Sequence, residues 1–326
     1  MTERRRNGLV LAALLLAGSA AAADEDARDW LRQMSEASQG LNYRGTFVYV
    51  HEGRLEAMRI IHRAGEDGEH ERLIALTGDA REVIRDGKQV TCILPKNRAV
   101  MVDRSVPRKP FPAALPRDLD ALGGQYEFLT DGTDRVSGRL SRIVVIQPRD
   151  AFRYGYRLWL DQDTSLLLKS ELVDAGGRAV EQVMFTDMQI LDEVPEEDLQ
   201  PMPRDDGFVI SGAAAHGEPA ADASHDEDFD WAVAELPAGF MLTHHNRVRM
   251  PSAEAPVEHM VFSDGLATVS VYIEPEPAAG HGLSGHSTMG AVNALGLQRD
   301  AAQITVVGEV PRVTVEHIAR SVQPRP

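Results

Sequence analysis

The sequence predicts an α+β protein with a large antiparallel sheet, an acidic break and then a smaller α+β domain. Three observations carry that class. Residues 126–173 read as a meander of apolar runs, namely Tyr126-Glu-Phe-Leu-Thr130, Arg142–Pro148, Arg153–Asp161 and Leu166–Leu172, with a turn expected at Asp131-Gly132. Further turn signals at Glu52-Gly53, Asp67-Gly68, Gly78-Asp79, Asp86-Gly87 and Gly176-Gly177 punctuate β-rich stretches, as hairpins require. Few windows of helical period intervene, which argues against a doubly wound parallel sheet.

At the N-terminus, Arg4-Arg5-Arg6 precede an apolar run from Gly8 to Ala17 and the small residues Ala20–Ala23. This is the pattern of an export signal over residues 1–23. The run falls short of the ~20 residues that span a bilayer, so cleavage after Ala22 or Ala23 is expected. With no cysteine at that point for lipid attachment, the mature product is expected to be soluble and exported. Removing three Arg and one Glu from 34 basic and 50 acidic residues leaves 31 and 49, a net charge of −18. A chain of that charge is unsuited to nucleic acid.

The mature chain opens with helical spacing at Ala27, Trp30, Leu31, Met34 and Ala37. From Tyr43 the period becomes two, with Phe47 and Tyr49 on one face and Val48 and Val50 on the other. Strands follow over Leu55–Arg63 and Glu71–Leu76. The single cysteine, Cys92, sits in Val90-Thr-Cys-Ile-Leu94 and reads as a small buried side chain. Together these segments set the first domain at residues 24–191.

Residues 192–230 carry thirteen acidic residues, one Arg and four Pro, a net −12 without usable apolar periodicity, and read as an extended, solvated linker. The domain from 231 to 326 holds strands at Trp231–Glu235, Phe240–Thr243, Val257–Phe262, Leu266–Ile273, Ile304–Val310 and Val313–Ser321. Residues 287–297 are expected to form a short helix, weakened by Gly290 and Gly296.

Chemistry is sparse. Six of the eleven histidines lie in the last domain, yet adjacent His244 and His245 point to opposite strand faces, while His281 and His286 sit in a Gly-rich loop. No metal site and no cofactor are expected from that spacing. Gly285-His-Ser287 lacks the glycine spacing of a nucleophile elbow, and the carboxylates Glu196-Glu197 would both stay solvated, so no catalytic residue is assigned and an exported hydrolase is disfavoured. Residues 96–117 stand out against the acidic background with a net +5, six apolar residues and four prolines. Such a loop either meets an anionic amphiphile or simply balances the acidic linker.

A wider pattern emerges from Tyr43-Arg-Gly-Thr-Phe-Val-Tyr49, Arg153-Tyr-Gly-Tyr-Arg-Leu-Trp-Leu-Asp161, Leu236-Pro-Ala-Gly-Phe240, Phe262-Ser-Asp-Gly-Leu266 and Val306-Val-Gly-Glu-Val-Pro311. These stretches, in order across both domains, resemble the periplasmic sigma-E regulators of the MucB/RseB type. The resemblance implies an N-terminal domain similar to the lipoprotein carrier LolA, a curved half-barrel sheet around helices with an apolar groove. It also implies binding to the periplasmic part of a membrane-bound anti-sigma factor (RseA or MucA), shielding it from the site-1 protease until lipopolysaccharide or another acylated lipid releases it. The long acidic linker departs from that pattern.

For lipid, the residues chosen are Phe47, Tyr49, Met58, Leu158 and Leu160 with Arg104, Arg108 and Lys109, core packing being the competing role for the apolar ones. One register error would invert the face. For the protein partner they are His244, His245, Arg247 and Arg249, a polar strand edge that can pair with an extended peptide. The alternative function is a periplasmic lipid or lipoprotein carrier using the same groove. Neither reading fixes the oligomeric state, and a homo-oligomer is compatible with both.

Overall fold

A computed structural model describes residues 7–65, 68–86, 89–103, 115, 118–202, 207–212, 229–250, 255–275 and 282–325. Side chains are described from Asp24 onward, except those of 103, 211 and 212. The chain opens with α1 (Asn7–Gly40), then β1 (Asn42–His51), β2 (Arg54–Arg63), β3 (His70–Ala75), β4 (Glu82–Asp86), β5 (Gln89–Leu94) and β6 (Ala99–Asp103). Next come β7 (Tyr126–Val136), β8 (Arg139–Pro148), β9 (Gly155–Asp161), β10 (Leu167–Val173), β11 (Ala179–Leu191), the single turn α2 (Glu196–Leu199) and β12 (Val209–Gly212). These strands form one twelve-stranded sheet in the order β12-β6-β5-β4-β3-β2-β1-β11-β10-β9-β8-β7. All pairs are antiparallel except β12 with β6. Two meanders thus run side by side, joined where β1 pairs with β11.

Turn chemistry fixes the register. Glu52 (φ 49°) and Gly53 (φ 72°) both adopt the left-handed region in the two-residue β1–β2 turn, which matches the strand twist. The predicted turn at Asp131-Gly132 is corrected: β7 continues through it as a bulge between Thr130 and Thr133. The hairpin instead closes at Ser137 (φ 51°) and Gly138 (φ 77°). The Asp-Gly pair supplies the extra residue of a bulge, a use that its local chemistry does not distinguish from a turn.

The apolar stripe of α1 lays Ala27, Leu31 and Met34 on Phe128, Val144, Ile146, Leu158 and Leu160 from β7, β8 and β9. Arg28 anchors the same helix: its guanidinium donates to the Leu119 carbonyl at 2.7 Å and stacks 4.3 Å from the Phe128 ring centroid. The opening of the predicted linker is corrected too. Val194 and Leu199 are buried against Ile61, Arg72 donates to the Asp198 carbonyl, and Met202 N–H bonds the buried Glu82 carboxylate. Two apolar side chains five positions apart, Val194 and Leu199, dock this acidic stretch.

The second unit comprises β13 (Trp231–Val233), β14 (Met241–Val248), β15 (Val257–Ser263), β16 (Thr268–Pro275), β17 (Gly285–Met289), β18 (Val292–Arg299), β19 (Ala302–Gly308), α3 (Arg312–Ser321) and β20 (Val322–Pro324). Six of its strands form a sheet in the order β14-β15-β16-β19-β18-β17, and β13 pairs with β20. Residues 287–297 are a hairpin and not a helix: Gly290 turns at φ 59°, and β18 finds its partner in β19. Conversely, Val313–Ser321 is helical. Its β-branched residues suggested a strand, but Val315, Ile318 and Ala319 bury one helical face against the sheet behind Pro311. Among the described residues no helix is long and apolar enough to cross a membrane.

Candidate functional site

An apolar cavity of about 270 Å³ opens on one face of the large sheet, lined by Phe47, Tyr49, Met58, Leu73, Tyr156 and Leu172 among others. Cross-strand pairing explains their convergence. Phe47 lies opposite Met58, Tyr49 opposite Val183, and Ser170 opposite both Val183 and Leu158, so their side chains share a face. Glu181 and, from the second unit, Glu309 put carboxylates on its rim. Burial and a hydrogen bond to Glu181 hold the Tyr49 hydroxyl well above its ordinary pKa, and burial with nearby Glu309 does the same to Tyr156. The cavity is therefore apolar at its base and acidic at its mouth. On β5, burial likewise raises the Cys92 thiol, which disfavours the reactive thiolate.

The cavity borders a polar junction between the two units. Arg153, fully buried, pairs with Asp264 and Asp150, donates to the Ala238 carbonyl at 2.7 Å and lies over the rings of Tyr126 and Phe240. Tyr126 also donates to Asp264 at 3.0 Å. At the other end, Ala291 in the β17–β18 turn is buried with Tyr154 and Leu172. Its N–H bonds Glu181, and the Gly290 N–H bonds Glu52. Asn293 bridges Tyr154 and the Val310 carbonyl. Arg153, Ala238, Phe240, Asp264, Glu309 and Val310 come from four of the stretches that carry the family resemblance, so those scattered segments meet in one place.

Residues 26–203 match the MucB/RseB N-terminal domain, and residues 225–323 match the MucB/RseB C-terminal domain. The chain belongs to the MucB/RseB family. It is 34% identical over 322 residues to the sigma factor AlgU regulatory protein MucB of Pseudomonas aeruginosa, covering 97% of this chain and 96% of that one. It is 26% identical over 319 residues to the sigma-E factor regulatory protein RseB of Escherichia coli, covering 97% and 96%. Among solved structures, the Pseudomonas aeruginosa MucA/MucB complex aligns with a TM-score of 0.71 at 31% identity, covering 92% of this chain and 99% of that one. Its curated relatives are regulatory proteins, in keeping with the binding class favoured by the sequence.

In this MucB/RseB chain the residues chosen for lipid divide into three groups. Phe47, Tyr49 and Met58 line the cavity together. Leu158 and Leu160 share the face but are fully buried under α1, so their assignment to the open groove is corrected. Arg104, Arg108 and Lys109 lie outside the described residues. The period-two reading put Phe47 and Tyr49 on one strand face, and both line the cavity; it did not name Leu73, Tyr156, Leu172 or the junction, because no local signal says where a helix stops covering a sheet.

Of the residues chosen for the protein partner, His244, His245 and Arg247 lie on β14, an edge strand of the six-stranded sheet, and Arg249 follows it. His244 and Arg249 are exposed. His245 is not available in the same way: it stacks on Phe229 and its Nε2 lies 2.7 Å from the buried Glu258 carboxylate. Arg247 pairs with Asp230 at 3.4 Å. His286 sits on β17 and pairs with Glu316 at 3.1 Å.

Proposed function

We propose that this chain, after loss of residues 1–23, is a soluble periplasmic regulator of an envelope-stress sigma factor. It binds the periplasmic segment of a membrane-bound anti-sigma factor, shields that segment from site-1 proteolysis, and releases it when an acylated lipid such as lipopolysaccharide enters the cavity. The observation that carries this reading is the likeness, over 92% of the chain, to MucB solved in complex with the periplasmic part of MucA. The lipid step rests on the cavity beside the domain junction. Each acyl methylene buried there contributes about 0.8 kcal/mol, and occupancy next to Tyr156, Leu172 and Glu309 acts where the two units touch. The edge strand β14, with exposed His244 and Arg249, is the surface assigned to the extended partner segment.

The test is binding of the purified chain to the periplasmic segment of its host's anti-sigma factor, with and without lipopolysaccharide, alongside site-1 cleavage of that segment. Tight binding and slowed cleavage, both reversed by lipid, are expected. Lipid uptake without any binding of the segment would replace this reading by a lipid or lipoprotein carrier, which the cavity alone would also support.

A further inference from the structure

Away from the cavity, the same sheet face carries a row of polar side chains. Tyr43 on β1 lies opposite His62 on β2, His62 opposite Glu71 on β3, and Glu71 opposite Arg85 on β4. His62 is fully buried and Glu71 is 4% exposed. Glu69 precedes Glu71 by two positions, and one ligand atom from each of His62, Glu69 and Glu71 lies within 4.8 Å of the others.

The hydrogen bonding of His62 fixes what it can offer. Its Nδ1 lies 2.8 Å from the Leu41 carbonyl oxygen, which can only accept, so Nδ1 carries the proton. The other ring nitrogen, Nε2, is buried and makes no hydrogen bond. Metal-binding histidines use this arrangement, the second ring nitrogen being tied to a backbone carbonyl to set tautomer and orientation. The Tyr43 ring, stacked on the imidazole at 4.7 Å, holds its plane. Glu71 uses one oxygen on Arg85 at 2.9 Å. One His62 ring nitrogen and one oxygen from each of Glu69 and Glu71 thus lie close together; with Nδ1 committed to the Leu41 carbonyl, Nε2 is the nitrogen left to join the two carboxylates around a cation.

We propose that His62 Nε2, Glu69 and Glu71 bind a divalent transition-metal ion, with Zn2+ the best match. One imidazole and two carboxylates form a three-ligand set that leaves a position for water. Ligand distances of about 2.0–2.2 Å put tetrahedral donors about 3.3 Å apart, so the three groups contract modestly around the ion. The site joins the start of β3 to β2 and, through Leu41, to the end of α1. Its ligands are scattered through ordinary strand sequence, and the spacing of the C-terminal histidines gives no hint of it.

The experiment uses tag-free protein treated with chelator and dialysed, titrated with Zn2+ by calorimetry and with Co2+ by visible absorption. One Zn2+ per chain is expected, with a Co2+ d–d band. Glu69→Gln, a half-buried isosteric change checked by circular dichroism, is expected to weaken Zn2+ at least ten-fold, and His62→Gln to abolish it. His286→Ala, in the other domain, should bind like wild type. No Zn2+ uptake, as a bridging water in place of a metal would give, overturns the proposal. So does uptake that Glu69→Gln leaves unchanged, which would place the ion elsewhere on the surface.

Discussion

Arg153 and Asp264 come from different domains, lie 3.0 Å apart, and neither side chain reaches solvent. Asp264 is fully committed: one oxygen takes Tyr126 and Arg153, and the other accepts the N–H groups of Leu266 and Ala267. Removing one partner of such a pair strands a buried charge, at a cost of roughly 3–5 kcal/mol. Asp264→Ala is therefore expected to destabilise the chain by about that amount in urea unfolding and to split one transition into two. Arg153→Met combined with Asp264→Asn, which keeps a side-chain oxygen for the Leu266 and Ala267 N–H groups, should recover part of the loss; a double variant as unstable as Asp264→Ala would show that the pair itself is not what matters.

Cavity and covered core on the same face should respond differently. Met58→Trp fills the opening and is expected to weaken a fluorescent acyl probe at least ten-fold with little change in stability. Leu158→Ala, fully buried beneath α1, should cost about 2–5 kcal/mol and leave probe affinity nearly intact. The reverse pattern would move the lipid site under the helix.

Asp174 gives a pH signature. The Arg178 backbone N–H, with further help from the Arg178 side chain and Gly176 N–H, holds its carboxyl below the ordinary value of 3.8. A lowered folded-state pKa stabilises above the unfolded value and the contribution disappears as pH falls through the folded one. Wild type should exceed Asp174→Asn in stability at pH 7, the gap closing below about pH 4. A gap unchanged down to pH 3 would contradict the assignment.

On β14 the exposed and buried residues separate binding from folding. His244→Ala with Arg249→Ala should weaken the anti-sigma segment without lowering Tm. His245→Ala leaves Glu258 buried without its imidazole and is expected to cost about 1–3 kcal/mol whether or not the segment is present. Unchanged affinity in the exposed double variant would remove β14 from the interface.

Much of this was legible in the sequence. Alternation from Tyr43 put Phe47 and Tyr49 on one strand face, and the spacing of Ala27, Leu31 and Met34 gave the helix. What failed needed partners distant in sequence. Leu158 and Leu160 carry the same pattern as open groove residues, and only the position of α1 separates the two. Val313–Ser321 has strand-forming side chains, yet a sheet face waiting for Val315 and Ile318 makes it a helix. Arg153 reads as one more charged residue beside a strand until Asp264 arrives from another domain.

The pairing of β1 with β11 also governs how the sheet is assembled. Asn42 and Asp192, bonded at the end of that pair, are 150 positions apart. The first meander can zip from hairpin to hairpin, but one edge of β1 stays open until Ala179–Leu191 docks. Closure over such a separation is slow, and an unpaired strand edge invites pairing with other chains. A chain cut before Ala179 is thus not a smaller groove domain but a template for aggregation.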